Sequence, residues 1–279
     1  MYRINGLAVT ARDKNGKTES PVNAHRRLKM TFKAKMTAMA AILAAAGVMA
    51  QAQAAEVYNV GSNMAFAPFE YVDENNQPAG FEMELIVAIA KAQGAEVKLH
   101  NVPFDGLIPS LQTGAIDIAM SGITITDQRK RRVLFSTPYY QSGLAVMVRE
   151  ADKGKYTTID SVKGKTLCAQ IGTTGAITAR KFSGKNVKEF NNAPETFMEL
   201  QSGGCDAVVH DKPVMDYYMA RRGTKGVFRL PETLSAEDYG IAVAKNNQKL
   251  ADWVNTGLEK IKASGEYDKI YTKWFGAQK

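Results

Sequence analysis

Two successive series of short β-prone runs alternating with helical stretches leave this chain few folds to choose from. In the first series, residues 57–61, 97–100 and 117–120 read as strands, and residues 80–92 and 105–112 as helices. The longer helix carries Phe81, Leu85, Ala88, Ile89 and Ala92 on one side, the spacing of an amphipathic helix on a sheet. In the second, residues 166–170, 187–190 and 206–210 are strands, and residues 175–182, 194–201 and 213–221 are helices. Parallel neighbours need a crossover connection and helices supply it, so each series predicts an α/β lobe with a largely parallel sheet. Residues 138–148 are β-prone without helical period, which suits a strand crossing between lobes. Residues 239–244 read as a second lone strand, and residues 248–274 as two helices split near Gly265. If the second strand is a return crossing, those helices pack on the first lobe. The expected architecture is two lobes joined by two extended segments. Open α/β sheets bind ligands beyond the carboxyl ends of strands, so Ser121 and His210 are expected to face an interlobe cleft.

Charge is distributed unevenly. Of the formal +8 carried by 279 residues, +7 lies in residues 1–54, leaving +1 for the rest and no electrostatic reason to bind nucleic acid. At 45% hydrophobic and 23% charged, the chain is neither a disordered tail nor a polytopic membrane protein. Residues 36–50 are uncharged and mostly apolar, stand behind Lys33 and Lys35, and are followed by Ala52-Gln53-Ala54. That order describes a cleaved secretory signal with its exit near Ala54, too short for the roughly 20 residues a bilayer core needs. Residues 1–29 are polar and precede the place where such a signal begins, so Met30 makes the more ordinary start. The division expected is a leader over 1–54, a first lobe over 55–140 and 239–279, and a second lobe over 141–238. No Cys follows the apolar run, so a lipid anchor is not expected.

Chemistry-bearing motifs are sparse. There is no His-x-x-x-His or Cys-x-x-Cys pair, no Gly-x-Ser-x-Gly elbow and no phosphate loop, so no metal or cofactor is expected. What stands out is Ser121-Gly122-Ile123-Thr124-Ile125-Thr126-Asp127-Gln128-Arg129. A glycine amide at a strand end, a Thr hydroxyl, and a helix capped by Thr126 or Asp127 that carries Arg129 together suit a carboxylate, which a guanidinium grips with two bonds. Lys130, Arg131 and Arg132 read as a solvated basic face. Export and an even cysteine count allow a Cys168–Cys205 disulfide, worth about 3 to 4 kcal/mol in the chain-entropy model.

Those residues, with Ala65-Phe66-Ala67-Pro68-Phe69-Glu70-Tyr71, Gly80-Phe81-Glu82-Met83-Glu84-Leu85, Val209-His210-Asp211-Lys212-Pro213 and Lys273-Trp274-Phe275-Gly276, give a chain that resembles the periplasmic amino-acid-binding proteins of ABC transporters, the type 3 extracellular solute-binding family. The resemblance spans almost all of residues 56–276 and leans toward glutamine-binding members. It implies a two-lobe venus-flytrap fold, a free amino acid as ligand, delivery to an inner-membrane permease with a cytoplasmic ATPase, a monomer, and a periplasmic location. It implies further that Arg129 takes the ligand's α-carboxylate with Thr124 and the backbone of Thr174, next to Thr173. Asp211 takes the α-ammonium with acceptors from Ser121 or Gly122, and Phe66 and Phe104 flank the side chain. Read as residues alone, Phe104 equally suits a helix core, His210 a buttress for Asp211, and Asp211 a helix cap. Where glutamine-binding members carry an acid and a lysine, this chain has Asn63 and Gln170. Two amides keep donors and acceptors but no charge, which favours a neutral polar ligand over a basic one. The rival functions are a cyclohexadienyl or arogenate dehydratase on the same scaffold, which would need a cleft carboxylic acid, and a sensory ligand-binding module.

Overall fold

The two strand–helix series build two mixed sheets in a computed structural model that describes residues 14–17, 55–222 and 226–276. The leader expected over residues 1–54 lies, apart from 14–17, outside the described residues. The first series supplies β1 (Val57–Ser62), three short strands β2 (Ala65–Phe66), β3 (Glu70–Val72) and β4 (Pro78–Ala79), α1 (Phe81–Lys91), β5 (Glu96–Asn101), α2 (Phe104–Thr113), β6 (Ile118–Ala119), the one-turn α3 (Asp127–Lys130) and β7 (Val133–Phe135). The chain continues through β8 (Tyr140–Arg149), β9 (Leu167–Gln170), α4 (Thr174–Ser183), β10 (Val187–Phe190), α5 (Ala193–Gln201), β11 (Ala207–Asp211), α6 (Lys212–Arg222), β12 (Val227–Arg229) and β13 (Ser235–Tyr239). It ends with β14 (Ala242–Ala244), α7 (Gln248–Ala263) and α8 (Glu266–Phe275).

The first sheet has the order β5-β1-β6-β14-β7, with β5, β1 and β6 parallel and β14 antiparallel to both neighbours. The second has the order β10-β9-β11-β8-β12, again with three parallel strands followed by the antiparallel β8. Both sheets therefore share one plan: second, first and third strands side by side, then an antiparallel strand delivered by a segment that has just crossed over. In such an order the connections leave the first strand on opposite sides, and the carboxyl ends of the first and third strands flank a crevice.

The crossings lie together as one ribbon. β8 pairs with β13 antiparallel from Tyr140↔Tyr239 to Leu144↔Ser235. Residues 239–244, expected as one strand, are split: Tyr239 closes β13 on the second sheet, and β14 opens at Ala242 on the first. The break falls at Gly240, where a Cβ would lie 2.8 Å from Ile125 and 3.0 Å from Phe135. A side chain there would collide with two residues of the first lobe.

α1 is buried on more of its circumference than its single apolar stripe predicts, with Phe81, Leu85, Ile86 and Ile89 joined by Met83 and Glu82. The cause is tertiary: α7 and α8 return to cover it. Phe81 is ringed by Tyr267, Tyr271 and Phe275 of α8 at centroid distances of 6.1, 6.1 and 5.2 Å, and Lys273 reaches Glu84 at 2.6 Å. The C-terminal helices thus pack on the first lobe, as a return crossing requires. In the second lobe Cys168 and Cys205 form a disulfide with Cα atoms 6.0 Å apart, beside Phe197 and Leu200 of α5. Among the described residues no helix is long and apolar enough to cross a membrane.

Candidate functional site

The carboxyl ends of first and third strands bring the predicted residues together. Asn63 follows β1 and Ser121–Gly122 follow β6, while Gln170 ends β9 and His210–Asp211 end β11. Phe66, Phe104, Gly122, Thr124, Arg129, Gln170, Thr173, Thr174 and Asp211 line one cavity between the lobes. Asn63, Ser121 and His210 are buried immediately behind it.

Arg129 is fixed from both sides. Thr126, not Asp127, caps the short α3 by accepting the Arg129 N–H at 3.2 Å. The guanidinium donates to Thr124 O at 2.9 Å in the first lobe and to Gly172 O at 3.1 Å in the second. It lies over the Phe104 ring, 5.3 Å from its centroid, a cation–π contact in a nearly dry setting. Phe104 therefore does two things, with one face in a small core against Leu107 and Leu111 and the other under Arg129. Burial pulls the Arg129 pKa down, against the charges of Glu237 and Asp211, which raise it.

Asp211 is, with Glu237, one of two acids whose charge Arg129 feels. The Tyr239 hydroxyl donates to it from the return crossing. Burial, and then the charge of Glu237, push its carboxyl up to about 7. His210 serves as a buttress: its Nδ1 accepts the Asp211 N–H at 2.7 Å, which makes Nε2 the protonated nitrogen of a neutral ring. Burial pushes that imidazole down to about 3, and Nε2 has no hydrogen-bond partner among the described residues. Phe66 lies tilted against the His210 ring, centroids 5.6 Å apart, and its Cε1 atom would sit 2.5 Å from any Cβ at residue 122. With φ at +53° as well, Gly122 is the residue that position admits.

The opposite end of the cavity carries no formal charge. Gln170 Nε2 donates across the cleft to Asn63 Oδ1 at 3.1 Å and within its own lobe to Asn191 O at 3.1 Å. Thr173 caps α4, accepting the Ala176 N–H at 3.0 Å and donating to Gln170 O at 2.7 Å.

Two details depart from the sequence reading. The Gly122 amide expected to face a ligand is turned inward, donating to Glu82 at 2.9 Å, and the Ser121 hydroxyl likewise donates to Glu70 at 2.6 Å. Buried carboxylates out of sight in the sequence capture both donors. The residue missed altogether is Glu237, 8% exposed on β13. Its Oε2 accepts the hydroxyls of Thr124 at 2.8 Å and Thr174 at 2.9 Å, one from each lobe. Its signal was present: on a strand whose Tyr239 faces inward, a residue two positions earlier shares that face. Beyond Glu237 the cleft widens into an outer cavity of about 620 Å³ that Arg132, Arg180 and Lys181 also line.

Residues 58–277 match the family model described as bacterial extracellular solute-binding proteins, family 3. A curated relative from Neisseria gonorrhoeae, a probable histidine-binding protein, is 38% identical over 228 residues, covering 80% of this chain and 84% of its own. Among solved structures, an ancestral arginine-binding protein bound to glutamine superposes with a TM-score of 0.75 at 42% identity, covering 79% of this chain and 98% of its own. An ancestral amino acid-binding protein, a precursor of cyclohexadienyl dehydratase, superposes with a TM-score of 0.72 at 37% identity, covering 78% and 95%.

Proposed function

This chain belongs to the bacterial extracellular solute-binding proteins of family 3, and from that premise we propose that it is the exported, periplasmic binding component of an amino-acid ABC transporter, holding an L-amino acid with a neutral polar side chain, glutamine first. The observation that carries the choice of ligand is the layout of charge in the cleft. Arg129 and Asp211 stand at one end, opposite in sign and from different lobes, as a zwitterionic head group requires. Asn63 and Gln170 stand at the other, paired across the cleft and offering donors and acceptors without charge. A cationic side chain would enter that end with no carboxylate to receive it, and desolvating it there is costly. The relatives named for histidine and arginine are the reason to test the point, and a protein named for arginine binding but bound to glutamine lends the neutral reading support.

In this reading Arg129, Thr124 and Thr174 take the α-carboxylate, Asp211 the α-ammonium, and Phe66 and Phe104 the flanks of the side chain. A ligand held by both lobes favours closure by its higher affinity for the closed arrangement. The β8–β13 ribbon is where the rotation is absorbed, so the lobes divide near residues 140 and 239. A signal within residues 1–54, cleaved near Ala54, exports the chain, which as a monomer presents its closed form to a permease with a cytoplasmic ATPase. The chain acts by binding and not by turnover; a dehydratase reading would assign the cleft acid to Asp211, whose carboxyl titrates near neutrality.

Calorimetry of the mature protein against a panel of amino acids tests this. L-Glutamine is expected to bind more tightly than L-arginine, L-lysine or L-histidine. Tighter binding of arginine or lysine would overturn the neutral reading, and ultraviolet evidence of prephenate or arogenate turnover would overturn the non-enzymatic one.

A further inference from the structure

Two carboxyl groups are fully buried together behind the Ser121–Gly122 turn. Glu70 of β3 and Glu82 in the first turn of α1 lie close enough for each to act on the other's carboxyl, and both expose no surface. Glu82 is rich in donors: the Tyr139 hydroxyl reaches Oε1 at 2.6 Å, and the Gly122 N–H lies 2.9 Å from Oε1 and 3.2 Å from Oε2. Glu70 Oε1 accepts the Ser121 hydroxyl at 2.6 Å, but Glu70 Oε2 has no donor among the described residues. The titratable groups facing the pair are Asp211, Tyr139 and Tyr239, acids and phenols without a cation. Two carboxylates in contact, dry and without a counter-charge, cannot both ionise. One proton between them removes the conflict. Placed on the donorless oxygen of Glu70, it turns that atom into a donor to Glu82.

We propose that Glu70 and Glu82 share one proton at neutral pH and act as a positioning pair for the amino-acid cradle, Glu70 as donor and Glu82 as acceptor. The bonds run outward from the pair to the site. Asn63 N–H donates to Ser121 Oγ at 3.0 Å, and Ser121 in turn donates to Glu70, so the segments that follow β1 and β6 are tied through one hydroxyl that the carboxyl orients. Gly122 is held at its positive φ by Glu82. Tyr139 links the pair to the crossings: its hydroxyl is on Glu82, and its N–H donates to Tyr239 O at 3.1 Å. Burial raises both acids, Glu70 the more strongly because the charge of Glu82 adds to it. Loss of the shared proton as pH rises would leave two adjacent charges and force Ser121 and Gly122 to move.

The conservative amides separate the two roles. Glu70→Gln keeps a donor for Glu82 and an acceptor for Ser121. Glu82→Gln leaves one acceptor oxygen for Gly122, Tyr139 and the Glu70 hydroxyl together. In ligand-free protein at neutral pH, infrared spectroscopy should show the carbonyl stretch of a protonated carboxylic acid that persists in Asp211→Asn and is lost in Glu70→Gln. The Gly122 amide resonance should shift with alkaline pH in the wild type and stay fixed in Glu70→Gln. Calorimetry with L-glutamine should give wild-type affinity for Glu70→Gln and at least a tenfold loss for Glu82→Gln. An infrared band indifferent to Glu70→Gln, a Gly122 resonance that titrates alike in both proteins, or equal binding by the two amide variants would each overturn the proposal. The spectroscopic arms need no amino acid, so they stand or fall separately from the ligand assignment.

Discussion

Arg129 shows how a single side chain joins the halves of this molecule. Its guanidinium bonds to carbonyls of both lobes and lies on Phe104, so it is oriented before any ligand arrives. Replacing it by alanine removes the positive charge that Glu237 and Asp211 feel and the fork that would grip an α-carboxylate with two bonds. Arg129→Ala is therefore expected to abolish amino-acid binding in calorimetry for every member of the panel; retained affinity would remove the carboxylate assignment. Glu237 works in the other direction. It already accepts the two threonine hydroxyls assigned to the α-carboxylate and places a like charge beside them. Glu237→Ala frees both hydroxyls and should tighten binding about tenfold, which corresponds to roughly 1.4 kcal/mol. Neutral substitutions at Asn63 or Gln170 touch the other end and should reorder preferences among ligands without abolishing binding.

At the level of elements, helices and strands are set by local pattern and their placement by contacts far along the chain. α5 begins where Asn192 accepts the Glu195 N–H at 3.1 Å, and α4 where Thr173 accepts the Ala176 N–H, both readable as capping residues ahead of an apolar run. The split of residues 239–244 between two sheets is different: Tyr239, Ile241 and Val243 make the run β-prone, and only its passage from one sheet to the other at Gly240 divides it. The disulfide belongs to this scale too. It joins β9 to the approach to β11 across 37 residues, and closing a loop of that length in the unfolded chain contributes about 3–4 kcal/mol. A Cys168→Ser, Cys205→Ser double variant should unfold in denaturant with a free energy lower by that amount while keeping its ligand preference, because the bridge lies under α5 and not in the cleft. An unchanged midpoint would mean that the α5 core alone holds those strands.

For the whole molecule, burial of ionisable groups makes stability and binding depend on pH. Asp211, Glu70 and Glu82 have folded-state pKa values raised above those of the unfolded chain, about 4. The folded state then holds more protons, and stability falls as pH rises through the folded values. His210 has the opposite sign: its pKa is lowered to about 3, so it costs stability only as pH drops below the unfolded histidine value of about 6.5. Thermal melts of the ligand-free protein should therefore decline from about pH 6.5 toward pH 8, a window in which His210 offers no offset. An ammonium placed against Asp211 favours its carboxylate, so binding near pH 7 should release a proton, seen as a calorimetric enthalpy that depends on the buffer. A buffer-independent enthalpy would take Asp211 out of the head-group site. The strand–helix alternation and the stretch from Ser121 to Arg129 by themselves determined the α/β class, the two lobes and Gly122, Thr124 and Arg129 of the cleft, because strand ends and helix caps are written in neighbouring residues; Phe66, Phe104, Gln170, Thr173, Thr174 and Asp211 came with the family resemblance. Glu237, the inward turn of Gly122 and the partnership of Glu70 with Glu82 were decided only by tertiary structure. Each depends on which distant segment comes to lie beside it, and on how much water that leaves behind.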